Sequence, residues 1–182
     1  MTAAPLGGDQ PSTTTPVITG QTTVPPSPVE LPNGETAKVA FEDAWQELSH
    51  YESGGLVNLS GFSIHMIHGS GVTIDGRAGT WIVGVQQGGT GSILLYNQQS
   101  WKQEMWGEAF SQDEIDLKRI LQPTRIYEIN RETIEKVMTE NGAEMSDMDL
   151  SDGIYTVYIQ SSSGLSTITF NASTGELLSQ IV

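Results

Sequence analysis

From residue 153 to residue 182 the chain reads GIYTVYIQSSSGLSTITFNASTGELLSQIV, a pattern that leaves little choice of backbone. Tyr155, Val157 and Ile159 alternate with Ile154, Thr156 and Tyr158. Successive strand residues point to opposite faces, so alternating β-branched and aromatic residues predict a half-buried strand. Small polar residues at 161–164 predict a hairpin loop. Ile168 and Phe170 then resume the alternation against Thr167 and Thr169. The NASTG stretch at 171–175 puts glycine where a reversing chain needs positive φ, and 176–182 completes a third strand with Leu178 expected inward. Three strands with one apolar face need a cover.

The segment just upstream predicts that cover. Asn130 is a candidate N-cap, Glu132 and Glu135 suit the positive end of a helix, and Gly142 is a stop signal. Ile134, Val137 and Met138 fall at i, i+3 and i+4, a narrow apolar stripe.

A rougher copy of the same order occupies 36–96. Ala37, Ala40, Phe41, Ala44, Trp45, Leu48 and Tyr51 follow helical periodicity up to Gly54 and Gly55. Residues 56–66 predict a strand, broken or bulged near Gly61, with Phe62, Ile64 and Met66 alternating. Residues 69–79 are glycine-rich and read as a connection, without the lysine a phosphate-binding loop requires. Strands are predicted over 80–86 (Trp81, Val83 and Val85 on one face) and 92–96. Between the halves, Ser111 and Glu114 form a capping-box pattern for a short helix carrying Ile115, Ile120 and Leu121 and ended by Pro123. Trp101, Met105, Trp106 and Phe110 precede it in loosely helical spacing, to plug the seam between the halves or to meet a partner.

The helix and last hairpin of the C-terminal third, with Thr174-Gly175-Glu176 ahead of the final strand, resemble a PepSY-like domain. The resemblance implies a helix on a small antiparallel sheet, an extracytoplasmic setting, association with or restraint of peptidases, and no catalytic residue. The expected fold is therefore α+β: two tandem PepSY/cystatin-like units, each a helix on an antiparallel sheet. The expected divisions are a disordered linker 1–35, a first unit 36–97, a connecting segment 98–129 and a second unit 130–182.

Residues 1–35 are rich in Thr, Pro, Ser, Gly and Gln and contain no Lys or Arg. Such a stretch buries too little to offset its ordering entropy and suits a stalk tethering a domain to the cell envelope behind a truncated N-terminal anchor. Sequons at Asn58 and Asn171 are compatible with export. The formal net charge of −14, with 22 acids against 8 bases, argues against nucleic acid and anionic membrane as partners. There is no cysteine, which removes disulfides, thiolate metal sites and a cysteine nucleophile. No run is long and apolar enough to span a bilayer, and no signal peptide is recognised.

Few residues point to chemistry. His50 closes the first helix, where a cation suits the dipole. His65 and His68 are three apart on a strand, which sends them to opposite faces. No G-x-S-x-G elbow occurs. Asp147, Asp149, Asp152 and Gly153 are spaced like part of a calcium loop, but Asp152 and Tyr158 stand where an EF-hand needs glycine and glutamate. With Glu140 and Glu144 they read as a solvated turn. The sequence assigns no catalytic, metal or cofactor residue. It predicts a non-catalytic extracytoplasmic protein that binds a protein or peptide, such as a peptidase, through its sheet. The alternative is a small-molecule or lipid module with Trp45, Phe62 and Trp81 around a cavity; a cell-envelope hydrolase using His65 or His68 ranks third.

Overall fold

A computed structural model describes residues 37–55, 59–97, 100–162 and 164–182. The predicted linker, Thr36, the start of the strand predicted from Leu56, the Asn58 sequon and Gln98 lie outside them. The fold is α+β. Strand β1 (Val39–Ala40) leads into helix α1 (Phe41–Ser53), followed by β2 (Ser63–Val72), β3 (Arg77–Ala78), β4 (Thr80–Gln87), β5 (Thr90–Tyr96) and β6 (Trp101–Met105). Helices α2 (Pro123–Ile129) and α3 (Arg131–Asn141) precede β7 (Ser146–Ser151), β8 (Ile154–Ser161), β9 (Gly164–Asn171) and β10 (Leu177–Ile181).

Eight strands form one antiparallel sheet in the order β10-β9-β8-β7-β2-β4-β5-β6, with β1 and β3 paired separately. The two meanders join where β2 pairs β7, bringing Ile67 opposite Leu150, His68 opposite Asp149 and Gly69 opposite Met148. Helices cover one face. There Trp81, Val83, Ile67, Leu150, Tyr155, Val157, Ile168 and Phe170, all fully buried, meet Phe41 and Leu48 of α1 and Ile126, Ile134 and Val137 of α2 and α3. Each such side chain contributes about 1.5–3 kcal/mol by leaving water. The buried aromatics keep their polar tips bonded: Trp81 Nε1 donates to Val39 O at 2.9 Å, Trp101 Nε1 to Ala44 O at 2.8 Å and the Tyr155 hydroxyl to Leu121 O at 2.8 Å.

Several expectations need correction. The first helix starts at Phe41, because Val39 and Ala40 pair with Ala78 and Arg77 as a strand. Residues 69–72 are not loop but the end of β2. Gly69 is opposite Trp81, and a Cβ there would lie 2.5 Å from the indole; glycine opens the slot the ring occupies. No helix forms over 111–122; Pro123 instead opens α2, at the position where its missing N–H costs nothing. Asn130 does not cap α3 with its side chain, since its Nδ2 donates to Ile126 O and Gly175 O. The stop at Gly142 is as expected, in the left-handed region with φ 64°.

The hydrophobic segment between the halves divides its work. Trp101, on β6, is 3% exposed and belongs to the core. Met105 and Trp106 are exposed at 80% and 60%. Residues 106–110 cross to the face opposite the helices, where Phe110 lies over Gly84 and Gly91. A Cβ on Gly84 would come 2.8 Å from the Phe110 ring. Substituting Gly84→Ala should therefore cost about 1 kcal/mol through overpacking, although alanine is ordinarily the better strand residue. In a Phe110→Ala background the same change should be neutral or stabilising; a urea-denaturation double-mutant cycle reads the coupling.

Candidate functional site

Among the described residues strand order leaves two outer edges, β6 and β10, and they differ in chemistry. On β6, Trp101 points inward while Lys102, Gln103 and Glu104 are exposed. A lysine and a glutamate on an edge discourage pairing with a foreign strand. β10 has no such guard. Residues 177–182 are LLSQIV, without a charge or proline, and Leu177, Leu178, Ile181 and Val182 are 44%, 49%, 66% and 69% exposed. Leu178 is thus not inward as expected. The register shifts between Leu177 and Ser179, and α3 packs over β8, leaving β10 uncovered.

β10 is nonetheless held firmly from within. Ser179, Gln180 and Ile181 pair with Thr169, Ile168 and Thr167. The turn feeding it is closed by Asn171 Oδ1, which accepts from Ser173 N at 2.9 Å and Thr174 N at 3.0 Å. Gly175 completes that turn with φ 74°, and a Cβ there would strike Ile129. One row of backbone donors and acceptors on this fixed strand has no partner strand among the described residues.

The titratable residues gather on the sheet face away from the helices. A register shift between Ile64 and Met66 brings His65 onto the same face as His68, so the two are not on opposite faces. His65 is 8% exposed and stacks on Phe110, its Nδ1 donating to Gln112 O at 2.7 Å and its Nε2 2.8 Å from Ser63 Oγ. His68 Nδ1 donates to Asp149 Oδ1 at 2.7 Å. The hydrogen bond to Asp149 raises the His68 pKa above its ordinary value; burial opposes this, and the charges of Asp149 and Asp147 add to it. Tyr158 also hydrogen-bonds Asp149, and its pKa is raised first by burial and then by that carboxylate. Ser70 Oγ donates to Asp147 at 3.1 Å, not to the imidazole.

The acidic cluster is therefore not a turn. Asp147 and Asp149 lie on β7, and only Asp152, at φ 50°, is in a hairpin turn, where it accepts from Asp113 N at 2.9 Å. Gly71 N donates to Asp147 at 2.9 Å. Among the described residues no group of three or more His, Asp or Glu side chains is placed to hold a metal ion. The cavity expected around Trp45, Phe62 and Trp81 is filled: Trp81 is fully buried, 5.3 Å from Phe41 in an edge-on contact. Phe62 instead lines an open cleft of about 420 Å³ with Ile64, Ile115 and Leu117. Another, of about 490 Å³, opens between α1 and α2, where Thr124 Oγ1 donates to Glu42 beside Arg77 and Arg131.

No family model matches the chain, and no curated protein matches it. A solved structure does. It is described as a "putative lipoprotein" from Clostridium difficile 630, is 12% identical and superposes with a TM-score of 0.52 over 81% of this chain and 95% of its own. At that identity the likeness is one of fold. Among the described residues no helix is long and apolar enough to cross a membrane.

Because the His68 pKa is raised on folding, its pair with Asp149 stabilises fully below the ordinary histidine pKa near 6.5, and that contribution fades as pH rises through the folded value. His68→Gln should thus cost a few tenths to about 1 kcal/mol at pH 5 and less at pH 8. Urea denaturation of both proteins at the two pH values measures it, and Asp149→Asn should abolish the pH dependence of the difference.

Proposed function

We propose that this chain is a non-catalytic, extracytoplasmic binding protein, PepSY-like in each half, that takes an extended segment of a protein partner as an added strand on β10. The observation that carries this reading is the contrast between the guarded edge β6 and the uncharged, apolar, uncovered edge β10. An added strand gains affinity from main-chain hydrogen bonds and specificity from alternate side chains. The tandem arrangement is supported by element order: α1 precedes a meander of β2, β4, β5 and β6, and α3 precedes one of β7 to β10. The extracytoplasmic setting is supported by the Ser/Thr/Pro composition of 1–35 and by the description of the Clostridium difficile protein.

The test is binding of extended peptides. Asn171 N donates to Glu176 O, so the odd residues of β9 face β10, Ser179 and Ile181 bond inward, and the outward backbone donor between them is that of Gln180. Proline there removes that donor and blocks pairing, so Gln180→Pro should abolish binding, and Ile181→Lys, a guard charge at a site already 66% exposed, should weaken it at least tenfold. Hydrogen exchange of the wild-type complex should show new protection confined to 177–182. Protection on β6 instead, or undiminished binding by both variants with intact circular dichroism, overturns the reading.

A further inference from the structure

Given the strand-addition reading, on which this rests, the chemistry around β10 specifies its partner. We propose that the segment β10 takes is apolar and β-branched at its centre and carries Lys or Arg at the flank that lies beside Glu176. The centre follows from β10 itself, whose Leu177, Leu178 and Ile181 offer apolar side chains at the edge and no charge. Cross-strand pairs of β-branched residues are favourable there, whereas a charge opposite them is desolvated without a partner.

The flank follows from the field. Residues 130–182 contain eight carboxylates against two basic side chains, and no Lys or Arg follows Lys136. Both of those bases are already engaged: Arg131 lies 3.8 Å from Glu135 and Lys136 3.9 Å from Glu140. Glu176, at the threshold of β10, has no basic partner among the described residues, and neither has Glu132 on α3. A strand arriving at this edge meets negative potential at the Glu176 end and, if it is basic, no charge of its own sign to repel it.

The same two facts disfavour a second copy. No steric rule forbids an antiparallel pairing of β10 with a second copy of itself, but each copy has a formal net charge of −14. The contact would be one short strand per partner, far below the roughly 1,200 Å² that stable complexes bury. A basic segment from a larger partner carries no such repulsion.

The experiment uses the full chain and two fluorescein-labelled peptides with the same alternating valine–threonine core, one flanked by lysines and one by glutamates. Fluorescence anisotropy should give at least tenfold tighter binding of the lysine-flanked peptide at about 50 mM salt, and the ratio should shrink toward unity at about 500 mM as charges are screened. Glu176→Gln should reduce the ratio without changing the fold. Equal affinity for both peptides, with Gln180→Pro still abolishing binding and Ile181→Lys still weakening it, overturns the basic partner and leaves the strand-addition reading standing. Lysine-flanked binding that survives both variants overturns both, because charge alone then attracts the peptide. Failure of either peptide to bind, or a wild-type dimer in analytical ultracentrifugation that Ile181→Lys dissociates, also overturns the proposal.

Discussion

The pairing of β2 with β7 is what makes this chain one structure. Without it each half is a narrow meander whose apolar face outruns the helix available to cover it. With it, Ile67 and Leu150 lie side by side and the core runs unbroken from Trp81 to Phe170. Polar contacts fix the register of this seam from the other side: His68 with Asp149, Ser70 and Gly71 with Asp147. On the covered side the Tyr127 hydroxyl and Ser146 Oγ lie 2.8 Å apart, and Ser146 reaches Val72 O at 3.3 Å. Burial raises the Tyr127 pKa, keeping it a neutral hydrogen-bonding group. A one-residue slip at the seam would turn every core residue of β7 outward and break all of these contacts at once.

That seam explains why the acidic spacing of 147–152 misleads. Carboxylates at alternate positions are what a metal loop needs, and equally what one face of a strand supplies. Which of the two holds depends on whether a donor strand lies alongside. The donors here are His68, Ser70 and Gly71, more than seventy residues away in the chain, and local pattern carries no trace of such a pairing. The histidines misled for a related reason. Their spacing gives opposite faces only in a regular strand, and the shift between Ile64 and Met66 supplies the extra residue that brings them together.

What was legible was local. β8 and β9 fell where alternation put them, with Tyr155, Val157, Ile159, Ile168 and Phe170 inward, and Ile134, Val137 and Met138 formed the buried stripe of α3. Glycine was the least transparent residue. At 175 it means a turn, with positive φ. At 69, 84 and 91 it means an absent side chain in a strand, making room for Trp81 or for Phe110 and the segment that carries it. A composition rich in glycine thus suggested a loop where a strand continues. The chief candidate surface was hidden likewise, since Leu178 reads as a core residue until the reach of α3 is known.

Edges are where a sheet of this kind must choose. Closing into a barrel would satisfy both, but β6 and β10 lie at opposite ends of an eight-stranded order and do not meet. An unguarded edge invites association, so its persistence in one place only is informative. At β6 the charges are on side chains that point away from the helices, Lys102 and Glu104 flanking Gln103, which is exposed on the other face. One lysine in place of Ser179 or Ile181 would guard β10 equally well, at exposed positions where it would cost the core nothing. Nor is the chain short of charge in general: its formal net charge is −14, yet the edge strand β10, like the interior strands β4, β5, β8 and β9, carries none. Folding alone does not require that gap. The helices bury what folding needs, and β10 adds only its inner row of hydrogen bonds to β9. What the gap provides is an outer row of backbone groups, held rigid and flanked by apolar side chains, on the one margin of the sheet where another strand meets no charge on the receiving strand.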